Sequence, residues 1–175
     1  MKIMIASDIH GSSFYLRKLE DAVNREKPDK LVLLGDYLYH GARNGLPVEY
    51  DPQIAYDILN GMKDIIIAIR GNCDAEIDQT VLDFPISDDY KILEVDGIKW
   101  YLTHGHVNER LPEIGSDDIL FNGHTHKYEL SRNFINPGSV SIPRGNPEHT
   151  YIVYEKGVFT LHDVDGKTLT ELSIW

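Results

Sequence analysis

A chain of 175 residues, 42% of them apolar, is long enough to bury a core without disulfides and fits one domain spanning residues 1–175. Its 17 Lys and Arg against 28 Asp and Glu give a formal charge of −11, which disfavours attraction to a nucleic-acid polymer or an anionic membrane. The single cysteine, Cys73, excludes an intramolecular disulfide framework, and no apolar run approaches the ~18 residues of a membrane span. With Met1 running straight into an apolar stretch and meeting Asp8, too short and too soon acidic for a signal peptide, the expected location is cytoplasmic.

Residues 2–7 form an apolar run without helical spacing, the pattern of a strand buried on both faces. It ends at Asp8-Ile9-His10-Gly11, where a carboxylate and an imidazole two residues apart can share a direction and Gly11 lets the chain turn. Ser12 or Ser13 then caps a helix carrying Leu16, Leu19 and Val23 on one face, stopped by Pro28. A second apolar run, Leu31 to Leu34, ends at Gly35-Asp36. Strand, helix and strand within about thirty residues make a right-handed parallel unit, which sets Asp36 beside Asp8 and His10.

A polar loop from Tyr37 to Pro52 leads to a short amphipathic helix around Ile54, Ile58 and Leu59, closed by Gly61. The run Ile65 to Ile69 repeats the strand pattern and finishes at Arg70-Gly71-Asn72-Cys73-Asp74. From residue 90 the rhythm changes to strands expected to be joined by tight turns. Asp96-Gly97 marks a hairpin whose second arm ends at Thr103-His104-Gly105-His106. Ile119 to Phe121 leads into Asn122-Gly123-His124-Thr125-His126, and residues 151–175 read as antiparallel strands broken at Lys156-Gly157 and Asp165-Gly166.

Five strands thus finish beside a glycine with Asp8 and His10, Asp36, Asn72, His104, and His124 and His126. In an open α/β fold the carboxyl ends of strands are where sites assemble. Four imidazoles, two carboxylates and an amide suit two ions sharing one bridging carboxylate, with Asp36 the central candidate. Nitrogen and oxygen donors without thiolate point to Mn, Fe, Zn, Ni or Co and away from an all-oxygen calcium or magnesium cage. Such a centre acidifies a water and clamps the oxygens of a displacement at phosphorus. Amide or lactone hydrolysis is other chemistry open to it, while a P-loop and a GxSxG elbow are both missing.

These five motifs, in this order, resemble those of the calcineurin-like metallophosphoesterases. Their spacing, with Asn136-Pro137-Gly138-Ser139 and Ser141-Ile142-Pro143, is similar to the small bacterial and archaeal YfcE-type phosphodiesterases. The resemblance implies a four-layer αββα sandwich with mixed sheets, two divalent ions with Mn2+ the first candidate, and hydrolysis of a small phosphodiester. It assigns Asp8, His10 and His126 to one metal, Asn72, His104 and His124 to the other, and Asp36 between them. Asp36, Asn72 and His104 then serve catalysis through a metal-bound bridging hydroxide. A homo-oligomer is a candidate state. Two alternatives stand beside this reading: a phosphomonoesterase, and a non-catalytic interaction scaffold like the related retromer subunit of eukaryotes.

Where many members of the superfamily carry Gly-Asn-His, this chain has Cys73, a weak donor in place of an imidazolium, so the expectation is a preference for acidic leaving groups such as aryl esters. His40 and Arg43, in the loop after Asp36, are candidates for the leaving group and a phosphate oxygen. Asp74 is a candidate to orient a ligand or cap a turn, and His106 a candidate for an outer shell. Tyr151, Tyr154, Phe159 and Trp175 read as core, and His149 and His162 as structural or surface residues.

Overall fold

The strand β1 (Lys2–Ala6) is apolar from Ile3 onward because it serves two cores at once. The computed structural model describes residues 1–175. Met4 and Ala6 face α1 (Ser13–Glu26) and α2 (Pro52–Gly61), packing with Leu16, Leu19 and Leu59. Ile3 and Ile5, on the opposite face, join Tyr154 and Phe159 of their own sheet in a core that meets a second sheet through Trp100 and Phe121. The period-two alternation of a strand is what divides one run of sequence between these layers.

The first sheet runs β11-β10-β9-β1-β2-β3, with β2 (Lys30–Leu33) and β3 (Ile66–Ala68) parallel to β1. On its other side β9 (Thr150–Glu155), β10 (Val158–Asp163) and β11 (Thr168–Ser173) continue antiparallel, as the two turn signals predicted. The Ser12 hydroxyl accepts from Tyr15 N to cap α1, and the chain leaves that helix through Lys27 at φ 49 just before Pro28. Asp51 caps α2 in the same manner, with Pro52 in its first turn.

The second sheet runs β4-β5-β6-β8-β7. The hairpin of β4 (Tyr90–Val95) and β5 (Ile98–Thr103) turns at Asp96 and Gly97, both at positive φ, as its sequence requires. The remainder departs from the tight-turn expectation. β5 and β6 (Ile119–Phe121) are parallel, as are β6 and β8 (Phe134–Pro137), while β7 (Tyr128–Leu130) and β8 were not anticipated. Three- and four-residue strands are too short to declare a period. The parallel β5–β6 crossover is residues 104–118 with one 3-10 turn at Asn108–Arg110, and the Tyr101 hydroxyl reaches it at the Glu113 carbonyl. The layered sandwich is the expected one, with its fourth layer reduced to this crossover segment.

Trp175 corrects another expectation: it is 71% exposed, whereas Tyr151, Tyr154 and Phe159 are fully buried. The last strand ends at Ser173, so the terminal indole lies past the sheet and rests beside Gly157 on the outside.

Candidate metal centre

Because β1, β2 and β3 are parallel neighbours, and β5 and β6 are parallel in the facing sheet, their carboxyl ends open on the same edge of the sandwich. The chain leaves those ends in unusual conformations. Nine non-glycine residues adopt positive φ, and five of them are Asp8, His10, Asp36, His124 and His126. Left-handed backbone costs about 1–2 kcal/mol per residue. Asp and His tolerate it better than most residues, and clustering of such strain is characteristic of functional sites.

The side chains converge. His10 Nε2 lies 3.1 Å from His126 Nε2, 3.6 Å from Asp8 Oδ1 and 3.6 Å from Asp36 Oδ2. His126 Nε2 is 3.2 Å from Asp8 Oδ1. Beside this group, His104 Nε2 is 3.3 Å from Asp36 Oδ2 and 3.1 Å from Asn72 Oδ1. Asp36 therefore stands between two sets of donors, one containing Asp8, His10 and His126, the other His104 and Asn72. The seventh candidate is less tightly gathered. The His124 ring packs 5.2 Å from the His104 ring, centroid to centroid, lines the adjoining cavity, and joins no group of three donors lying within 4.8 Å of one another.

The ring orientations are fixed from behind. Nδ1 of His10 donates to the Tyr39 carbonyl at 2.8 Å, Nδ1 of His104 to Leu34 at 2.6 Å, and Nδ1 of His126 to Ile142 at 2.6 Å. A carbonyl only accepts, so each Nδ1 carries a proton and each Nε2 points inward, the orientation a metal requires once Nε2 is deprotonated. Two Nε2 atoms 3.1 Å apart need a proton or a cation between them. The buried Asp8 Oδ1 has no hydrogen-bond partner, which is a second sign that this group of donors suits a cation. This donor set fits divalent metal ions.

The charges respond to one another accordingly. Burial opposes ionisation of Asp8, but His10, His104 and His126 hold its pKa well below the usual carboxylate range. Burial likewise opposes charge on His104, yet Asp36 and Asp8 raise it to about 9. The carboxylates therefore favour positive charge on these nitrogens, for which metal and proton compete.

Comparison with known proteins agrees with this geometry. Residues 1–156 match the family model of the calcineurin-like phosphoesterase superfamily domain. The chain belongs to this superfamily. It is 39% identical to phosphodiesterase YfcE of Escherichia coli over 97% of this chain and 95% of that one. The solved structure of YfcE, a phosphoesterase from E. coli, 38% identical, covers 99% of this chain and 100% of its own at a TM-score of 0.92. Phosphodiesterase MJ0936 of Methanocaldococcus jannaschii is 32% identical over 73% of this chain and 74% of its own. The Vps29 of Entamoeba histolytica solved with zinc, 19% identical at a TM-score of 0.64 and covering 99% of both chains, shares the fold.

In this calcineurin-like phosphoesterase the supporting shell is mostly invisible to sequence reading. Asp74 accepts backbone N–H bonds from Asp36 at 2.8 Å, Tyr37 at 2.7 Å and Gly71 at 2.7 Å, so it positions the loop that presents Asp36. Burial and the nearby Asp36 push its carboxyl up to about 6. The hydroxyls of Ser139 and Ser141 both donate to the Asp8 carbonyl, and Asn136 Nδ2 donates to the Gly123 carbonyl at 2.9 Å. These residues belong to the Asn136–Pro143 segment noted for its resemblance, but nothing in that segment announced what they hold. The backbone carbonyls of Leu34, Tyr39 and Ile142 left no sequence signal at all.

The candidate substrate residues separate. A cavity of about 950 Å³ opens beside Asp36, Asn72 and His126, and Cys73 and Arg43 line it. The Cys73 thiol is raised to about 12 by burial and by Asp36, so it remains neutral. His40 does not line this cavity: its ring packs edge-on against Tyr39 and Tyr50. His106 also stays off the wall, its ring 5.4 Å from that of His104, and burial together with His104 and His124 lowers its pKa. Lys127 and Arg144, which sequence reading passed over, do line the cavity.

Proposed function

We propose that this phosphoesterase hydrolyses small phosphodiesters with two divalent cations, manganese the first candidate. The observation that carries the reading is the inward convergence of His10, His104 and His126 Nε2 on Asp8 and Asp36, each ring locked from behind by a carbonyl. Asp8, His10 and His126 would hold one ion, His104, Asn72 and His124 the other, with Asp36 shared. Bound there, the ions supply an acidified water as nucleophile and neutralise charge at phosphorus. The protein's own part is positional. Three carbonyls fix the imidazoles, Asp74 fixes Asp36, and Ser139 and Ser141 fix the Asp8 backbone. In hydrolysis the oxygen of water joins phosphorus, one P–O bond breaks, and the leaving alcohol departs into the cavity lined by Cys73 and Arg43.

The phosphodiesterase names of the E. coli and M. jannaschii relatives support the diester over the monoester. A complete set of seven donor residues supports an enzyme over a scaffold. The direct test is release of 4-nitrophenolate from bis(4-nitrophenyl) phosphate with and without added Mn2+. The expected rate depends on metal and falls in Asp36→Asn by more than the ~100-fold typical of losing an outer-shell contact. A rate indifferent to metal would overturn the reading, and faster hydrolysis of 4-nitrophenyl phosphate would assign the site to monoesters.

A further inference from the structure

Of the 17 Lys and Arg, eight form ion pairs with Asp or Glu: Lys2, Arg17, Lys18, Arg25, Lys63, Arg70, Lys91 and Arg110. Three of the remaining nine, Arg43, Lys127 and Arg144, line the cavity that adjoins the candidate metal centre. A chain with 28 carboxylates leaves these three cations without an acidic partner, although Glu129 lines the same cavity. Arg144 is also held in place. Its backbone N donates to the His126 carbonyl at 2.9 Å, and its guanidinium donates to Asn44 Oδ1 at 2.5 Å, while Asn44 Nδ2 donates to the His40 carbonyl at 2.8 Å. The Asn44 contact is neutral, so it orients the guanidinium without cancelling its charge.

We propose that this cluster is a subsite for a second anionic group, so that the substrate is a phosphodiester carrying a further phosphate or carboxylate away from the scissile bond. The inference rests on the diesterase reading and adds the substrate class. A simple diester has one negative charge, which the metal centre itself can neutralise. Three more cations on the wall are then surplus unless the substrate extends to them. Lys127 follows His126 directly and Arg144 is bonded to the His126 carbonyl, so the subsite is tied to the centre by the same short segment. Guanidinium and ammonium groups together donate to phosphate or carboxylate oxygens, the former as a planar fork. Local positive charge also offsets the repulsion that a net charge of −11 exerts on an anionic substrate.

Two pairs of probes test this, chosen so that binding and turnover fail separately. The first pair is thymidine 5′-(4-nitrophenyl phosphate) with and without a 3′-phosphate, which share the reacting phosphorus and the leaving group. The second is thymidine 3′,5′-bisphosphate and thymidine 5′-monophosphate, compared by calorimetry on the Mn2+-loaded protein. The expected result is a KM and a Kd each about tenfold lower for the compound with the extra phosphate, the size of one well-formed charged contact. That ratio is expected to fall toward one in Arg144→Gln and in Lys127→Gln, and to persist in Lys99→Gln, which alters an exposed cation outside the cavity. Equal affinity for the two members of each pair, or a ratio unchanged in both cavity variants, would overturn the subsite. If neither ester is turned over, the diesterase reading fails while the calorimetric ratio still decides the subsite.

Discussion

Cys73 stands, by the resemblance to the superfamily's Gly-Asn-His motif, where many members would place an imidazole. Its thiol is half-buried, faces the carboxylate of Asp36 through its neighbourhood and is raised to about 12, so it stays protonated yet donates weakly. The backbone at the same residue is more useful, since Cys73 N donates to Asp36 Oδ1 at 2.8 Å. The main chain thus helps set Asp36 whatever side chain stands there, while the side chain lines the cavity. Replacing Cys73 with His should therefore change leaving-group selectivity more than it disturbs the centre. The expected outcome is a rise of ~10-fold or more in the rate for an alkyl diester relative to an aryl one, within the range of general-acid effects. Comparing methyl 4-nitrophenyl phosphate with a dialkyl diester under identical metal loading checks it, and an unchanged ratio would exclude Cys73 as the source of selectivity.

At the scale of elements, each strand delivers its donor through a tight exit that leaves no room for extra atoms. A Cβ added at Gly71 would lie 2.1 Å from Asp36 Oδ1 and 2.5 Å from Asp36 N, and one at Gly123 would lie 2.0 Å from Ser7 Oγ and 2.9 Å from Asp8 Oδ2. Gly71→Ala must push Asp36 aside, and since Asp36 stands between both donor sets the displacement reaches both. We expect a loss of metal-dependent hydrolysis of at least ~100-fold, as befits a ~1 Å misplacement, with far-UV circular dichroism of the folded protein retained. Full activity in Gly71→Ala would show that Asp36 can relocate freely. The same exits explain what could be read from the sequence. Long apolar runs such as residues 2–7 and 31–34 declare buried parallel strands, and a glycine beside Asp, Asn or His marks their ends. The short β6, β7 and β8 carry too few residues for a period, so their parallel and antiparallel pairings were not legible. The donors were legible because their chemistry is restricted to side chains. The carbonyls of Leu34, Tyr39 and Ile142 that fix the rings were not, because every residue has one. His40 misled for a related reason: proximity in sequence to Asp36 does not determine which way a ring packs, and two tyrosines hold this one off the cavity.

Over the whole molecule, a formal charge of −11 and two buried carboxylates at one edge both favour binding of cations, but they predict different dependences. Diffuse surface charge is relieved by any salt through screening, whose reach is ~10 Å at 0.1 M ionic strength. The convergent donors of Asp8, Asp36 and the three inward-facing imidazoles could instead hold a divalent ion in the folded state alone, since the unfolded chain has no equivalent arrangement. Mass action then stabilises the fold by about 2.7 kcal/mol when free metal is 100-fold above its Kd. For a chain of this length, 1 kcal/mol corresponds to roughly 2–4 °C in Tm, so Mn2+ should raise Tm by ~5–10 °C. Chelation should reverse the shift, and Asp36→Asn should shrink it to less than half by removing the carboxylate that both donor sets approach. Sodium chloride at matched ionic strength is the discriminating control in a thermal melt. If it reproduces the Mn2+ shift, the stabilisation comes from screening of the acidic surface, and the converging side chains contribute no specific metal binding.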